Sequence, residues 1–415
     1  MMNRIKYGMT LLLSLLLIFE CVGQIPKVKL GIEVLKERNF DVLEGKRVGL
    51  VTNATGVDSQ LKSTVDILFE ASNVNLVALY GPEHGVRGNY SAGEYVAFYT
   101  DAQTRLPVYS LYGKTRKPTP EMLQGIDVLV YDIQDIGCRS YTYISTMGLV
   151  MEAAAENNIE VVILDRPNPL GGKRIEGSLV QEGFISFVSQ FKIPYLYGLT
   201  SGELAYLLNL EKFLAHTCNL KVVQMQGWKR EMSFENTGLE WVPTSPHIPH
   251  KHSADYYPVS GILGELQVVS IGVGYTLPFQ VFAAPWINAG EMAKQMNALQ
   301  LPGVTFRPIS FKPYYNVYAG KEVHGVQVHI TDWQKAELSS IQFYFLQVNH
   351  RLYPDKNVFQ LCDPSRLTMF DKVAGSGRIR QLLEANQFRY ASIKALWEAE
   401  AESFRQLALK YYLYN

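Results

Sequence analysis

The sequence is poor in cysteine and carries no excess of charge of either sign. Its 415 residues include four cysteines, and 39 basic side chains balance 39 acidic ones. The cysteines are widely spaced and form no C-x-x-C pair, which argues against a disulfide framework and a zinc site; they are Cys21, Cys138, Cys218 and Cys362. Because no basic tail or stripe is present, we expect no nucleic-acid partner.

Motifs that identify cofactors and common nucleophiles are also missing. No G-x-G-x-x-G follows the first strand, and neither a phosphate-binding loop nor a G-x-S-x-G elbow occurs. His247, His250 and His252 form a loose cluster beside two prolines, but without an acidic or cysteine ligand nearby a polar loop is favoured over a zinc site. The sequence therefore indicates no nucleotide or metal cofactor, and it weighs against a metalloprotease or a serine hydrolase.

The N-terminus has the pattern of a secretory signal. Two basic residues precede the apolar run at 11–19, which is too short for a comfortable membrane span, and Cys21-Val-Gly23 provides a small-residue cleavage site. We expect residues 1–23 to be removed and the protein to be exported to the periplasm. Acylation of Cys21 is the alternative, but Glu20 is a poor fit to the small residue that such sites prefer.

Apolar strands alternate with helical stretches up to about residue 232. Strands are predicted at 47–51, 76–80, 107–111, 127–131, 160–164 and 220–225, and helices at 63–71, 143–157 and 204–214, with a further helix start at Thr119-Pro120. Strands rich in Val, Ile and Leu that alternate with helices indicate a parallel sheet buried on both faces. The prediction is a doubly wound α/β fold for this half.

The second half changes character, because Pro, Tyr and Gly become frequent after residue 241 and the alternation fades. A strand at 324–330 and helices at 338–352 and 379–413 are the clear elements. We therefore predict two domains after the signal, an α/β domain at 24–232 and a smaller α+β domain at 233–415 that closes a cleft.

The α/β half is organised around Gly81-Pro-Glu-His-Gly85. Pro82 ends the strand before it, and the glycines hold Glu83 and His84 on a tight turn. Polar segments follow three other strands in the same way, at 53–56, 132–135 and 165–168. Because the carboxyl ends of parallel strands share one edge of a sheet, we expect all four segments to meet in one crevice.

Acid–base chemistry is the role predicted for the carboxyl groups of this crevice. Glu83 is the candidate general acid, because its glycine neighbours bring it close to a ligand and a cleft raises a carboxyl pKa. His84 would orient Glu83 or bind substrate, although capping of the next helix is an equal alternative for both. Asp132 and Asp135 are candidates for a second carboxylate, and for Asp132 a helix N-cap is nearly as good an interpretation.

Other polar side chains of the crevice are candidates for substrate binding. Arg139 and Arg166 suit a bidentate contact with a carboxylate, or a salt bridge to one of these acids. Asn53 and Asn168 would contact a ligand or form Asx turns. The remaining aromatic candidates, which would line the cleft or simply pack, are Tyr141 and Tyr143. Paired acids in an open cleft with aromatics suit glycoside hydrolysis, so the residues alone indicate an exported α/β hydrolase acting on sugar.

Long blocks at these segments resemble the signature sequences of the exo-β-N-acetylmuramidases. The blocks span residues 81–88, 132–143 and 164–172, and the stretches 50–56, 197–205 and 227–230 also fit. The resemblance covers nearly the whole mature chain. It implies a Rossmann-like domain with a cleft against a smaller C-terminal domain, and release of N-acetylmuramic acid from the non-reducing ends of peptidoglycan fragments without metal or nucleotide.

The resemblance also implies site residues and a partner. Glu83 is carried over as the catalytic acid, and Arg87, Gln134 and Asp165 join the cleft residues. The partner would be a muropeptide or disaccharide, and the acetamido oxygen of the substrate is an alternative to a second protein carboxylate. The chain departs from the family pattern at His247, where an Asn is usual, and at Val273, where an Arg is expected, which leaves the sugar preference open. A non-catalytic binding protein for cell-wall fragments is the competing hypothesis.

Overall fold

The computed structural model describes residues 28–88 and 98–415, so the signal expected at 1–23 lies outside the described residues. A seven-stranded sheet forms the first half and a three-stranded antiparallel sheet lies in the second. Within the described ranges, no helix combines the length and the apolar character needed to cross a membrane.

The seven-stranded sheet is mostly parallel. Its strands are β1 (Arg47–Thr52), β2 (Asn75–Gly81), β3 (Tyr99–Thr100), β4 (Pro107–Ser110), β5 (Val128–Asp132), β6 (Glu160–Leu164) and β7 (Leu220–Val223), in the order β3-β4-β2-β1-β5-β6-β7. Among the strands in the described ranges, only the short β3 pairs antiparallel, with β4. The helices of this half are α1 (Gly31–Glu37), α2 (Thr64–Glu70), α3 (Tyr143–Glu156) and α4 (Ser201–Leu210).

Successive side chains of the central strands enter two different cores. Val48 and Leu50 of β1 pack in the core that includes Leu68 of α2, whereas Val51 packs in the core that includes Met147 of α3. Because both faces of the strands are buried, their sequences are nearly continuous runs of apolar residues. The predicted doubly wound α/β fold is confirmed.

The predicted helix boundaries agree less well with the structure than the predicted strands do. α4 begins at Ser201, three residues before the predicted start, after a capping box in which Thr200 and Glu203 exchange side-chain-to-backbone bonds. The helix start at Thr119-Pro120 is wrong, because this segment forms turns that end at Gly125 with φ +79°. The segment lies so close to the start of β5 that too few residues remain to form a stable helix.

The second half surrounds a small antiparallel sheet with helices. The sheet contains β8 (Val281–Ala284), β9 (Val304–Phe311) and β10 (Val323–Ile330) in the order β8-β10-β9. The helices are α5 (Lys251–Gly264), α6 (Ala289–Asn297), α7 (Ile341–Leu352), α8 (Val358–Leu361), α9 (Pro364–Ala374), α10 (Gly377–Ala385) and α11 (Ala391–Ala408). α5 was not predicted, because Pro258 lies inside it and interrupts the helical pattern.

The long helix predicted at 379–413 is two helices. α10 and α11 are separated by a turn in which Gln387 and Phe388 both have positive φ. The turn lets α11 contact both halves, since Trp397 packs in the core of the second half and Phe404 packs in the core under the seven-stranded sheet.

Candidate active site

The four polar segments leave the sheet along one edge, as predicted. The strands that precede them are neighbours in the order β2-β1-β5-β6, and they pair in parallel. Their ends are level, because Val51 pairs with Tyr80 and Thr52 pairs with Asp132. The carboxyl edge of these strands is therefore the floor of the candidate site.

The turn after β2 carries Glu83 at the carboxyl edge of the sheet. His84 and Gly85 follow in consecutive left-handed conformations, with φ of 74° and 73°, and the Gly85 amide donates to the Pro82 carbonyl at 3.0 Å. A left-handed conformation is unfavourable for a histidine and recurs at functional sites. The result leaves Glu83 half-buried and His84 buried.

Two phenol groups lie next to Glu83. Tyr112, which follows β4, shares a hydrogen bond with the Glu83 carboxyl, and burial together with that negative charge raises the pKa of Tyr112 to about 12. The Tyr143 hydroxyl donates to the Thr244 carbonyl at 2.5 Å and also contacts Asn53. Burial, with Tyr141 and Glu83 nearby, raises the pKa of Tyr143 well above its ordinary value.

The second half covers this group with the loop that carries His247. Tyr141 holds the loop by donating to Thr244 Oγ1 at 2.8 Å, and the His247 ring stacks on Tyr315 with centroids 6.1 Å apart. Burial lowers the pKa of His247, His84 lowers it further, and Glu83 opposes both effects. A side chain of the second half therefore lies close enough to Glu83 for the two groups to affect each other's charge.

Sequence reasoning missed Tyr112 and His247. Tyr112 was not among the predicted site residues, although its position just after β4 gives it the same strand-exit signal as Glu83. His247 was assigned to a polar loop, and only its departure from the family pattern drew attention to it. Its approach to Glu83 depends on packing between residues far apart in the chain.

Asp135 is a buried carboxyl with one unsatisfied oxygen. Its Oδ2 accepts from the Gly137 amide at 2.7 Å and from the Tyr197 hydroxyl, while its Oδ1 is buried and has no hydrogen-bond partner. Burial raises the pKa of Asp135 to about 6, although these two hydrogen bonds oppose the shift. Asp135 also acts electrostatically on Tyr141, which connects it to the loop over Glu83.

Asp132 and Arg166 form a buried ion pair. Arg166 Nε donates to Asp132 Oδ1 at 2.5 Å and Nη2 to Oδ2 at 2.9 Å, while Thr64 donates to Oδ2 at 2.5 Å. Arg166 also donates to the Val57 carbonyl at 2.7 Å. The structure thus shows the salt bridge that was one of two interpretations of Arg166. Asp132 is the last residue of β5 and caps no helix, and its catalytic role stays a prediction.

Arg139 and Arg87 are also engaged within the protein. Arg139 is fully buried and donates to the carbonyls of Ser178, Ile193 and Val373 at 2.6–3.0 Å, so it joins the two halves. Arg87 is shared between Asp66 and Asp101, with nitrogen–oxygen distances of 3.0 and 3.1 Å. Roles for these two arginines in substrate binding stay predictions.

The remaining predicted residues shape the loops of the crevice. Asp165 accepts from the Gly202 amide at 2.8 Å at the start of α4, and Gln134 donates to the Pro167 carbonyl at 2.8 Å. Asn53 accepts from the Thr55 amide at 2.9 Å and Asn168 accepts from the Leu170 amide at 3.0 Å. Both asparagines form Asx turns, which was one of the two interpretations considered for each.

A pocket of about 220 Å³ opens beside His247 in the second half. It is lined by His247, Tyr257, Gly261, Gly264, Glu265, Gln267, Val269, Ser270, Ile271, Val273, Phe279, Asn316 and Val317. Val273, the position where the family pattern has an Arg, is thus a wall of the pocket that His247 also lines. In the part of the chain that the structure describes, no cluster of His, Cys, Asp and Glu is arranged to hold a metal ion.

Known proteins share this architecture and sequence. Family models described as the N-terminal and C-terminal parts of exo-beta-N-acetylmuramidase NamZ match residues 48–252 and 256–414. The chain is 45% identical over 389 residues to the peptidoglycan beta-N-acetylmuramidase NamZ of Bacillus subtilis (strain 168), covering 94% of this chain and 92% of that protein.

Two crystal structures of DUF1343 family proteins from Bacteroides fragilis NCTC 9343 are similar. One is 62% identical with a TM-score of 0.91, and the other is 29% identical with a TM-score of 0.75. Each comparison covers 94% of this chain and 99% of the other. With both family models matched in order across most of its length, the chain belongs to the NamZ family of exo-β-N-acetylmuramidases.

Proposed function

We propose that this protein is an exo-acting glycosidase that releases N-acetylmuramic acid from the non-reducing ends of peptidoglycan fragments. The position of Glu83 is the observation that carries the proposal. Its carboxyl group lies on the turn after β2, beside the Tyr112 hydroxyl and near His247 of the second half. Membership of the NamZ family supplies the substrate class.

Glu83 is the proposed acid that protonates the glycosidic oxygen as the bond to the leaving sugar breaks. Partial burial in a cleft suits a carboxyl to this role, and Tyr112 restricts its orientation. His84, next to Glu83 on the strained turn, would orient substrate. For the developing positive charge on the sugar, either Asp135 or the substrate's own acetamido oxygen would supply the compensating group.

The test is hydrolysis of a disaccharide of N-acetylmuramic acid and N-acetylglucosamine by wild type and Glu83→Gln, with Glu44→Gln as an exposed control. Loss of a general acid lowers the rate by roughly 10²–10⁴-fold, so we expect a fall in kcat/KM of that size only for Glu83→Gln. Aryl β-N-acetylmuraminide and β-N-acetylglucosaminide substrates are compared alongside, since a good aryl leaving group needs less acid assistance.

Three results would contradict the proposal. Full disaccharide hydrolysis by Glu83→Gln would remove Glu83 from the acid role. Faster release from the glucosaminide than from the muraminide would change the substrate. Tight binding of fragments by wild type without any turnover would favour the non-catalytic binding protein.

Export to the periplasm is part of the proposal and depends on the N-terminal sequence. We expect the mature protein to begin at Gln24 after removal of residues 1–23. Intact mass of the protein from a periplasmic fraction tests this expectation. A mass that corresponds to an acylated Cys21 at the N-terminus would instead show a lipoprotein.

A further inference from the structure

The segment 411–415, which follows α11, returns from the second half to the seven-stranded sheet, and it is called the strap below. The Leu413 amide donates to Glu203 Oε1 in the first turn of α4 at 2.9 Å. The guanidinium group of Arg230, in the chain after β7, lies 3.3 Å from the centroid of the Tyr412 ring. The strap is therefore bound to elements of the first half.

Tyr414 connects the strap to the end of β6. Its hydroxyl donates to Oδ2 of Asp165, the fully buried residue that directly follows this strand, at 2.5 Å. Asp165 also accepts from the Thr200 hydroxyl and the Gly202 amide at the start of α4, each at 2.8 Å, and from the Arg166 amide at 3.0 Å. Because a buried carboxylate needs its donors, removal of one of them is costly and loosens the group.

The loop after β6 in turn holds the loop after β5. Arg166, whose amide donates to the carboxylate that the strap contacts, binds Asp132 through Nη2 at 2.9 Å. The Pro167 carbonyl accepts from Gln134 Nε2 at 2.8 Å. The loop after β5 also carries Asp135, one of the groups proposed to compensate the positive charge on the sugar. Consecutive hydrogen bonds thus lead from the strap to the candidate site.

We propose that Tyr414 is a positioning residue for the hydrolysis, and that the strap makes the order of the carboxyl edge depend on docking of the second half. Without the Tyr414 hydroxyl, Asp165 loses the donor that the strap supplies, and the loops after β6 and β5 gain freedom. A shift of about 1 Å in a reacting group lowers a rate by as much as about 10²-fold. This inference rests on the proposed function and adds a residue to it.

Tyr414→Phe removes the hydroxyl and keeps the ring, which packs edge-on against Trp228 with centroids 5.1 Å apart. We expect kcat on the disaccharide to fall about tenfold, with KM changed by less than about twofold. Tyr411→Phe is the matched control, because the Tyr411 hydroxyl donates to another carboxylate, Glu211, at 2.6 Å. Glu211 follows the end of α4 that points away from the carboxyl edge, so the control should keep the wild-type kcat.

A double-mutant cycle shows whether Tyr414 acts through Asp165. Asp165→Asn keeps the shape of the side chain and removes its charge. Added to Asp165→Asn, Tyr414→Phe should lower kcat by less than about twofold, because both changes disturb the same contact. A further fall of about tenfold in the double variant would place the effect of Tyr414 elsewhere and overturn the inference.

Amide hydrogen exchange gives a readout that is independent of turnover. In Tyr414→Phe the segments 132–137 and 165–172 should exchange about tenfold faster than in wild type, because the loops open more often. In Tyr411→Phe both segments should exchange at the wild-type rate.

An unchanged kcat in Tyr414→Phe, or an equal fall in Tyr411→Phe, would overturn the inference and leave the proposed function intact. Failure of wild type to hydrolyse the disaccharide would instead contradict the proposed function, and amide exchange then decides the inference by itself. Faster exchange of the two segments in Tyr414→Phe alone supports the positioning role, whereas equal exchange in the two variants overturns it.

Discussion

Replacement of Asp135 by Asn should stabilise the protein at neutral pH. Burial raises the pKa of this carboxyl from 3.8 to about 6, so the ionised form is less favourable in the folded state than in the unfolded chain. At 1.36 kcal/mol per pKa unit, the ionised carboxylate costs the folded protein about 3 kcal/mol. Asn keeps an oxygen to accept from Gly137 and Tyr197 and removes the charge.

The sign of the pH dependence follows from the direction of the shift. Above about pH 6 Asp135 is ionised in both states, and the free energy of unfolding is lowered by the full amount that the ionised carboxylate costs. Between 3.8 and 6 the folded state holds the proton more tightly, so wild-type stability rises as the pH falls through this window. The advantage of Asp135→Asn over wild type should therefore grow by about 2 kcal/mol from pH 4.5 to pH 7.5.

Urea unfolding of wild type and Asp135→Asn at the two pH values measures this difference. Asp127→Asn is the matched control, because the Arg47 hydrogen bond lowers the pKa of Asp127 to about 2 and this carboxyl is therefore ionised in both states at both pH values. The stability difference between wild type and this control should thus hardly change from pH 4.5 to pH 7.5. A destabilisation of Asp135→Asn that is equal at both pH values would refute the reasoning. If Asp135 supports catalysis, the stabilised variant should also be at least tenfold slower on the disaccharide.

Three further predictions follow from single contacts. Tyr112→Phe removes the hydroxyl beside Glu83 and should lower kcat on the disaccharide about tenfold, with little change in KM. An unchanged kcat would show that Tyr112 does not position the acid. Arg139→Met leaves the carbonyls of Ser178, Ile193 and Val373 without their donor and should lower the free energy of unfolding, measured in urea, by about 3 kcal/mol or more. A loss below about 1 kcal/mol would contradict the role of Arg139 in joining the two halves. Gly137→Ala adds a Cβ 2.3 Å from Asn168 Oδ1 at φ +77° and should destabilise by about 1–3 kcal/mol, whereas Gly183→Ala, with open space around its Cβ, should change stability by less than 1 kcal/mol.

Local signals in the sequence predicted the sheet and its functional edge. The apolar runs at 76–80 and 160–164 became β2 and β6, because such runs satisfy two buried faces at once. The capping box of Thr200 and Glu203 joins residues three apart, so it too is a feature that a local sequence pattern contains. The segment predicted as one helix at 379–413 failed, because the break at Gln387 contains neither Pro nor Gly, the residues that usually announce one.

For the site, the sequence by itself determined which groups lie at the carboxyl edge, since strand exits follow from strand positions. It identified Glu83 and His84 on a glycine-bracketed turn and gave the family through long sequence blocks. Only the tertiary structure decided how these groups are used. It paired Arg166 with Asp132, turned Arg139 toward backbone carbonyls, and brought His247 from the second half close to Glu83. Such pairings join residues far apart in the chain and depend on burial and distance, which no local pattern of residues contains.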